Sequence, residues 1–208
     1  AANINLRFGR GAIGELAGIG RALGGHANPY LLITPFLHRE AVLSSRIEGT
    51  QAGLEDVFLF PVAERPAGPD DAREVVNYVR AHDHALRSPL PICVRLLREM
   101  HEILMTDVRG GDKAPGQFRT RQNWIGAADC RIDAAKFVPP PPSEVEPALA
   151  RLEAFVHAPG DAAALIRLAL VHYQFEVIHP FNDGNGRVGR MLISLMMCRE
   201  NLLPLPLL

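Results

Sequence analysis

The residues with the clearest chemistry lie together near the end of the chain, in the stretch HPFNDGNGRVGR at positions 179–190. His179 carries the side chain that most readily exchanges a proton near neutral pH, so it is a candidate general base. Asp183 offers hard carboxylate oxygens of the kind that bind Mg²⁺ together with phosphate groups. One short segment therefore combines a proton acceptor with a candidate metal ligand.

The same stretch is suited to binding an anion. The run Gly184-Asn185-Gly186 lets the backbone approach a ligand closely, and successive N–H groups in such a turn can cradle negative charge. A helix predicted to begin at about Gly186 would add its N-terminal dipole. Arg187 and Arg190 are spaced to share a helix face from which both guanidinium groups could reach phosphate oxygens. A polyphosphate cradle with a metal and a general base indicates attack on a phosphorus centre.

This stretch resembles the signature of the Fic (filamentation induced by cAMP) family, His-x-Phe-x-Asp/Glu-Gly-Asn-Gly-Arg-x-x-Arg, and matches every fixed position. The resemblance implies a protein adenylyltransferase, which moves AMP from ATP to a Ser, Thr or Tyr hydroxyl of a target protein and releases pyrophosphate. In that reaction His179 would take the hydroxyl proton. Asp183 would hold Mg²⁺ on the phosphates of ATP.

The resemblance also assigns ATP-binding residues along the loop and the following helix. Asn185 and Gly186 would line the α-phosphate site. Arg187 would reach the β-phosphate, and Arg190 the γ-phosphate. The full predicted set in this segment is Asp183, Gly184, Asn185, Gly186, Arg187, Val188, Gly189 and Arg190.

A second informative segment ends an amphipathic helix predicted over 35–49. It resembles the inhibitory motif of Fic proteins, Ser/Thr-x-x-x-Glu-Gly/Asn, with Ser44, Glu48 and Gly49 at the fixed positions. A carboxylate can replace the γ-phosphate as the partner of Arg190. The resemblance therefore implies an N-terminal inhibitory helix in cis, whose Glu48 prevents ATP from placing its triphosphate productively.

A third segment predicts a short β-hairpin, because Trp124-Ile125 and Lys136-Phe137-Val138 bracket the loop 126–135 and could pair. In Fic proteins the equivalent segment is the flap, which covers the nucleotide and holds the target backbone by strand addition. The resemblance places four residues at this nucleotide and target edge: Asn123, Trp124, Ile125 and Gly126.

The remaining pattern is helical, so we expect an all-α, Fic-type helical bundle with one short β-hairpin flap. The helix over 161–178 is apolar nearly all round, which predicts a buried central helix. We expect an N-terminal helical segment at 1–60 that carries the inhibitory motif, and a Fic core at 61–208 that forms a single compact unit. The leucine-rich ending predicts that this core continues beyond Leu208.

The composition is typical of a globular protein and does not indicate a membrane-spanning or nucleic-acid-binding one. The chain has 208 residues, of which 48% are hydrophobic and 22% charged, with a net charge of −1, so it can bury a substantial core. Near-balanced charge does not indicate a nucleic-acid partner, and no uncharged apolar run approaches the ~18 residues of a membrane span. The three widely spaced cysteines indicate reduced thiols, and we expect a cytoplasmic protein.

Several functions remain open on these residues. The site could remove AMP instead of adding it, or transfer another nucleotide or phosphate-containing group such as UMP or phosphocholine. The chain could also be a non-catalytic, nucleotide-binding regulatory module, although the intact His179 and Asp183 argue against that. A toxin component is disfavoured because the inhibitory helix is in cis. The expected partners are ATP and a protein target, which could be the chain itself, and a homodimer is compatible with the resemblance.

Overall fold

The structure is a computed structural model that describes residues 29–55, 69–108, 114–127, 130–160 and 162–203. Within those ranges the chain forms six α-helices and two short 3₁₀ turns, at Ile132–Ala134 and Pro142–Glu144. The helices are α1 (Pro29–Ile47), α2 (Pro69–Arg87), α3 (Val94–Met105), α4 (Val145–His157), α5 (Ala164–Ile178) and α6 (Asn185–Arg199). The all-α fold class predicted from the sequence is confirmed. The domain boundary predicted near residue 60 lies outside the described residues.

Helix α1 begins earlier than the sequence analysis expected, at Pro29 instead of Pro35. A proline inside a helix removes one backbone donor, but its fixed φ is compatible with helical geometry. The helix ends as a Schellman motif, since Gly49 N–H donates to Arg46 O at 3.0 Å and Thr50 N–H donates to Ser45 O at 3.2 Å. Gly49 has a φ of 95°. Glu48 is therefore held at the last turn of α1.

The core forms where α2 packs against α3 and where α5 packs against α6. Helix α1 packs mainly on α2 and also contacts α6, which brings the predicted inhibitory segment to the predicted active-site helix. Apolar side chains from all these elements are fully buried, among them Val75, Tyr78, Leu96, Met100, Phe175, Val188, Met191 and Leu195.

The prediction that α5 is the buried central helix is wrong. Ile166, Leu170 and Tyr173 are all exposed on α5. Helix α6 is the buried one, with polar Asn185, Arg187 and Ser194 enclosed together with its apolar residues. Hydropathy alone does not separate the two helices, because burial depends on which neighbours pack against each face.

The predicted hairpin is present as a single antiparallel bridge between Ile125 and Phe137. Ile125 N–H donates to Phe137 O at 2.8 Å, and Phe137 N–H donates back to Ile125 O at 3.1 Å. We call residues 122–139 the flap. No helix of the described residues is both long and apolar enough to cross a membrane.

Candidate active site

His179 ends helix α5 in an uncommon backbone conformation. Its φ of 48° and ψ of 60° are left-handed, a region that few residues other than glycine adopt. This turn directs the chain from α5 into the motif loop, while the His179 N–H still donates to Phe175 O at 3.0 Å. Such a conformation costs on the order of 1–3 kcal/mol, which surrounding contacts must offset.

The imidazole of His179 is partly buried at the end of α5. Burial is the main cause that lowers the pKa of His179 below its ordinary value, and the Arg119 cation acts in the same direction. The carboxylates of Glu48 and Asp183, and a backbone hydrogen bond with Glu176, oppose this. The neutral form, which can accept a proton, is therefore favoured near pH 7.

The motif loop between α5 and α6 is closed by Asn185. Its Oδ1 accepts the N–H of Phe181 at 2.9 Å, and its Nδ2 donates to Phe181 O at 2.9 Å. Gly184 precedes it with a φ of 75°, and a Cβ there would lie 3.0 Å from the sulfur of Met105. The Asn185 side chain thus maintains the loop, and its backbone N–H belongs to the helix N-terminus that can meet an anion.

His101 on α3 supports the same loop from the core side. Its ring stacks on Phe181, with centroids 3.7 Å apart and planes 2° from parallel. The Gly116 N–H donates to Nδ1 at 2.8 Å, so Nε2 carries the proton and donates to Asp183 O at 3.0 Å. Burial lowers the pKa of His101 to about 4. A lone histidine on an apolar helix gives no functional signal in sequence, and here its role is structural.

Arg190 contacts both side chains of the predicted inhibitory motif. Its Nε donates to Ser44 Oγ at 2.7 Å, and its Nη2 donates to Ser44 O at 3.0 Å and to Glu48 Oε1 at 2.7 Å. Ser44 is buried, whereas the side chains of Arg190 and Glu48 are 25% and 36% exposed. The structure therefore brings together the two motifs that the sequence analysis singled out.

Gly186 makes room for the Glu48 carboxylate. A Cβ at Gly186 would lie 2.5 Å from Glu48 Oε1 and 3.0 Å from Arg190 Nη1. The carboxylate consequently sits over the first turn of α6, where the helix dipole and free backbone donors favour negative charge. An anion of this chain already occupies the concavity that the sequence predicts for a phosphate.

Arg187 does not share the surroundings of Arg190. It is buried, with Nη1 3.5 Å from Glu74 Oε2 and Nη2 3.6 Å from Asp183 Oδ1. Thr50 Oγ1, just after the inhibitory motif, donates to the same Glu74 oxygen at 2.5 Å. The sequence predicted a common face for the two arginines, but in this structure Arg187 is committed to a buried network that sequence reasoning did not predict. Periodicity places Glu74 in the polar first turns of α2 and gives no sign of its burial.

The other predicted residues of α6 are enclosed by protein. Val188 is fully buried, and its backbone N–H donates to Gly184 O at 3.0 Å. A Cβ at Gly189 would lie 2.3 Å from Glu176 Oε1, and the glycine therefore permits close packing of α6 on α5.

The flap lies beside the motif loop. Asn123 Nδ2 donates to Phe181 O at 3.2 Å, and Trp124 Nε1 donates to Cys130 O at 2.8 Å. A Cβ at Gly126 would collide with the Cys130 sulfur at 2.4 Å. The side chains of Trp124 and Ile125 are each 41% exposed, which leaves an apolar edge available to a ligand.

Arg119 is a further residue that the sequence analysis missed. It lies just before the flap, and its guanidinium donates to carbonyls of the α5 terminus, including His179 O at 2.9 Å. No spacing rule links position 119 to the motif loop, so only the structure reveals the contact.

The described residues form a helical protein in which a glycine-rich loop and a helix N-terminus follow a partly buried histidine. Family models agree: the Fic/DOC family matches residues 91–197, and the Fic/DOC family N-terminal region matches residues 6–87. The chain belongs to the Fic/DOC family.

Relatives and solved structures extend this result. The chain is 33% identical over 139 residues to the protein adenylyltransferase fic-1 of Caenorhabditis briggsae, a match that covers 62% of this chain and 25% of the relative. It is 38% identical over 76 residues to a probable protein adenylyltransferase of Aquifex aeolicus, covering 36% of this chain and 24% of the relative. The chain thus spans about a quarter of these relatives' length.

Among solved structures, a Fic family protein from Desulfovibrio desulfuricans superimposes with a TM-score of 0.73 at 25% identity, covering 96% of this chain and 59% of the other. Residues 134–508 of Fic-1 from C. elegans superimpose with a TM-score of 0.69 at 19% identity, over 94% of this chain and 58% of the other. The second likeness supports the fold alone.

Proposed function

We propose that this chain transfers AMP from ATP to a hydroxyl group of a protein and that Glu48 inhibits the transfer in cis. The observation that carries the proposal is the contact of Glu48 with Arg190 and the first turn of α6. A carboxylate there occupies a site with the donors and dipole that an ATP phosphate needs. The family membership, and the adenylyltransferase names of the relatives, support the same reaction.

In this proposal His179 is the general base for the attacking hydroxyl. The neutral imidazole takes the proton of a Ser, Thr or Tyr hydroxyl. The hydroxyl oxygen forms a bond to the α-phosphorus, and the bond from that phosphorus to the bridging oxygen breaks, so that pyrophosphate leaves with the electron pair. Backbone N–H groups at Asn185 and Gly186 hold the α-phosphate, and Arg190 holds the terminal phosphate.

Asp183 is suited to a magnesium ion. Its side chain is 36% exposed, and its Oδ1 is oriented by the Gly184 N–H at 2.6 Å. No group of three or more His, Cys, Asp or Glu residues within the described ranges could enclose a metal, and Mg²⁺ in nucleotide sites commonly uses one or two carboxylates plus phosphate oxygens. Bound there, Mg²⁺ would neutralise developing charge on the phosphates. Arg187 and the Gly184 N–H would hold the Asp183 carboxylate in place.

The flap supplies the target site in this proposal. Its outer side chains at Trp124, Ile125, Phe137 and Val138 are exposed. An extended target segment could add beside the Ile125–Phe137 bridge by backbone hydrogen bonds. That would place a target hydroxyl near the motif loop, to which Asn123 ties the flap.

Glu48 would inhibit the transfer because hydrogen bonds within the chain already use the Arg190 donors that a γ-phosphate needs. The Nε and Nη2 donors of Arg190 are both used, by Ser44 and Glu48. A γ-phosphate would have to displace the carboxylate and overcome repulsion from it. ATP is then held in a pose that does not present its α-phosphate to the attacking hydroxyl.

The test measures label transfer from α-labelled ATP with Mg²⁺ to the chain itself and to proteins of a lysate. The unaltered chain, Glu48→Gly and Glu48→Gly/His179→Ala are compared. We expect strong labelling only with Glu48→Gly, because the double variant loses a general base, typically worth about 10²–10⁴-fold in rate. Equal labelling by the unaltered chain and Glu48→Gly would refute inhibition by Glu48.

The absence of label with Glu48→Gly, when the same variant binds ATP, would refute AMP transfer and favour a nucleotide-binding module. Release of AMP from a labelled protein by the unaltered chain, but not by Glu48→Gly, would instead assign Glu48 to AMP removal. Matched thermal unfolding of all three forms serves as the control for folding.

A further inference from the structure

Arg119 is a buried cation that is bonded entirely to backbone oxygens. Its Nε donates to His179 O at 2.9 Å, its Nη2 donates to Ile178 O at 3.3 Å and to Pro140 O, and its Nη1 donates to Arg121 O at 3.5 Å. Arg119 is 2% exposed. No carboxylate of the described residues lies within ion-pair distance of it.

Burial of a charge without an ion pair is costly. The C-terminal end of α5 offsets part of that cost, because its last carbonyls carry the negative end of the helix dipole. The planar fork of a guanidinium can donate to several carbonyls at once, whereas a lysine ammonium is a compact point charge. The position therefore specifically requires arginine.

The hydrogen bonds of Arg119 to Ile178 O and His179 O hold the backbone conformation of His179. Its φ and ψ lie between the peptide unit that carries Ile178 O and the one that carries His179 O. Both oxygens accept hydrogen bonds from the same rigid guanidinium group, and the backbone N–H of Arg119 donates to Pro180 O at 2.9 Å. These contacts oppose relaxation of His179 out of its left-handed conformation, and they thereby set the direction of its Cα–Cβ bond.

The other two bonds reach the base of the flap. Arg121 O lies just before the flap and Pro140 O just after it. One side chain therefore joins both ends of the proposed target-binding segment to the proposed base.

The positive charge of Arg119 also acts on the pKa of His179. Its cation lowers the pKa of His179, in the same direction as burial, against the carboxylates of Glu48 and Asp183 and the backbone hydrogen bond with Glu176. Loss of the Arg119 charge should therefore raise the pKa of His179.

We propose that Arg119 is the positioning residue of the general base: its guanidinium fixes the left-handed backbone of His179 and fastens the base of the flap to it. This inference rests on the proposed AMP transfer, in which His179 is the base. Arg119 does not touch the reacting atoms and acts through His179.

The test uses the Glu48→Gly chain with Arg119→Lys or Arg119→Met. Arg119→Lys keeps the positive charge but loses the planar guanidinium. We therefore expect kcat for AMP transfer to fall at least about tenfold. KM for ATP should stay within about twofold, because the phosphate cradle is intact. Arg119→Met loses the charge as well, so the His179 imidazole, followed by NMR, should titrate at higher pH than in the parent.

Arg167 provides a matched control. It donates to the carbonyls of Ala158, Phe155 and Val156 at the end of α4, a helix that carries none of the residues assigned to the proposed site. Arg167→Met should leave the titration of His179 and kcat unchanged. If Arg119→Met does not fold, Arg119→Lys and its split between kcat and KM still decide the question.

The inference is overturned if Arg119→Lys turns over like the parent, or if folded Arg119→Met keeps both the kcat of the parent and its His179 titration. Failure of the proposed function gives a different result. The Glu48→Gly parent would then transfer no AMP, while the NMR titration would still report whether Arg119 acts on His179.

Discussion

The Glu48 carboxylate lies 2.7 Å from Arg190 Nη2, although the two residues are 142 positions apart in the chain. An ion pair with this exposure contributes only about 0–1 kcal/mol. The pair alone therefore cannot hold an inhibitory segment in place. Two buried neighbours also hold the segment: Ser44 accepts from Arg190, and Thr50 donates to the buried Glu74.

Ser44→Ala should partly relieve inhibition. The change removes the oxygen that accepts from Arg190 Nε, and a hydrogen bond to a charged group contributes about 1.5–3 kcal/mol. We expect the rate of AMP transfer to rise about tenfold, but by less than in Glu48→Gly. In the Glu48→Gly background the same change should add nothing, and a further increase there would show that Ser44 acts on catalysis directly. Initial rates with α-labelled ATP provide the measurement.

Thr50→Val should loosen the other side of the segment. Valine keeps the shape but cannot donate to the buried Glu74, and the lost bond should lower the free energy of unfolding by about 1–3 kcal/mol. AMP transfer should rise while Glu48 is still present. Thr106→Val is the control, because Thr106 is exposed and donates to Glu102 O within the end of its own helix at 2.7 Å. Equal effects of the two changes on activity would contradict the anchoring role.

Gly49 should tolerate asparagine better than valine. Its φ is 95°, and no atom lies within 4 Å of a Cβ built there, so the effect of a side chain is backbone strain alone. Asparagine enters left-handed conformations more readily than β-branched residues do. We expect Gly49→Val to lower stability by at least about 1 kcal/mol and to raise AMP transfer, since the end of α1 that presents Glu48 is disturbed. Urea unfolding and label transfer measured on both variants test this, and identical behaviour would exclude strain as the cause.

The contact of Glu48 with Arg190 was predicted because the two segments resemble the inhibitory and active-site motifs of the Fic family, and this resemblance implies that they meet. The sequence did not predict the direction of Arg187, whose partner Glu74 is 113 positions away. Helical spacing specifies a face only approximately, and the partner of a buried charge depends on how distant elements pack. Arg119 could not be predicted for a related reason, since its partners are backbone carbonyls, which have no sequence signature.

The exposure of α5 has a similar explanation. Composition predicted an apolar helix, and the helix is apolar, but the burial of each face is set by neighbouring elements. The hairpin was predicted from two short segments that bracket a loop, and within the described residues of the flap the structure forms a single bridge, between Ile125 and Phe137. Elements with local signals were therefore predictable, whereas contacts between distant elements were predicted only where a family resemblance implied them, as for Glu48 and Arg190.

Acidification should weaken the fold through His82. This histidine is buried with Nε2 3.0 Å from Ser194 Oγ, and burial lowers its pKa from 6.5 to about 4. Between these two pH values the unfolded chain binds a proton at His82, whereas the folded chain keeps the imidazole neutral. The contribution of neutral His82 to the free energy of unfolding is therefore complete above about pH 6.5 and is lost as the pH falls towards 4. The loss should approach roughly 3 kcal/mol.

Urea unfolding of the unaltered chain and of His82→Gln, which cannot be protonated at this position, tests the assignment. The free energy of unfolding should decline more steeply for the unaltered chain between about pH 6.5 and pH 4.5. Other titrating groups contribute equally to both curves, and parallel curves would contradict the assignment to His82.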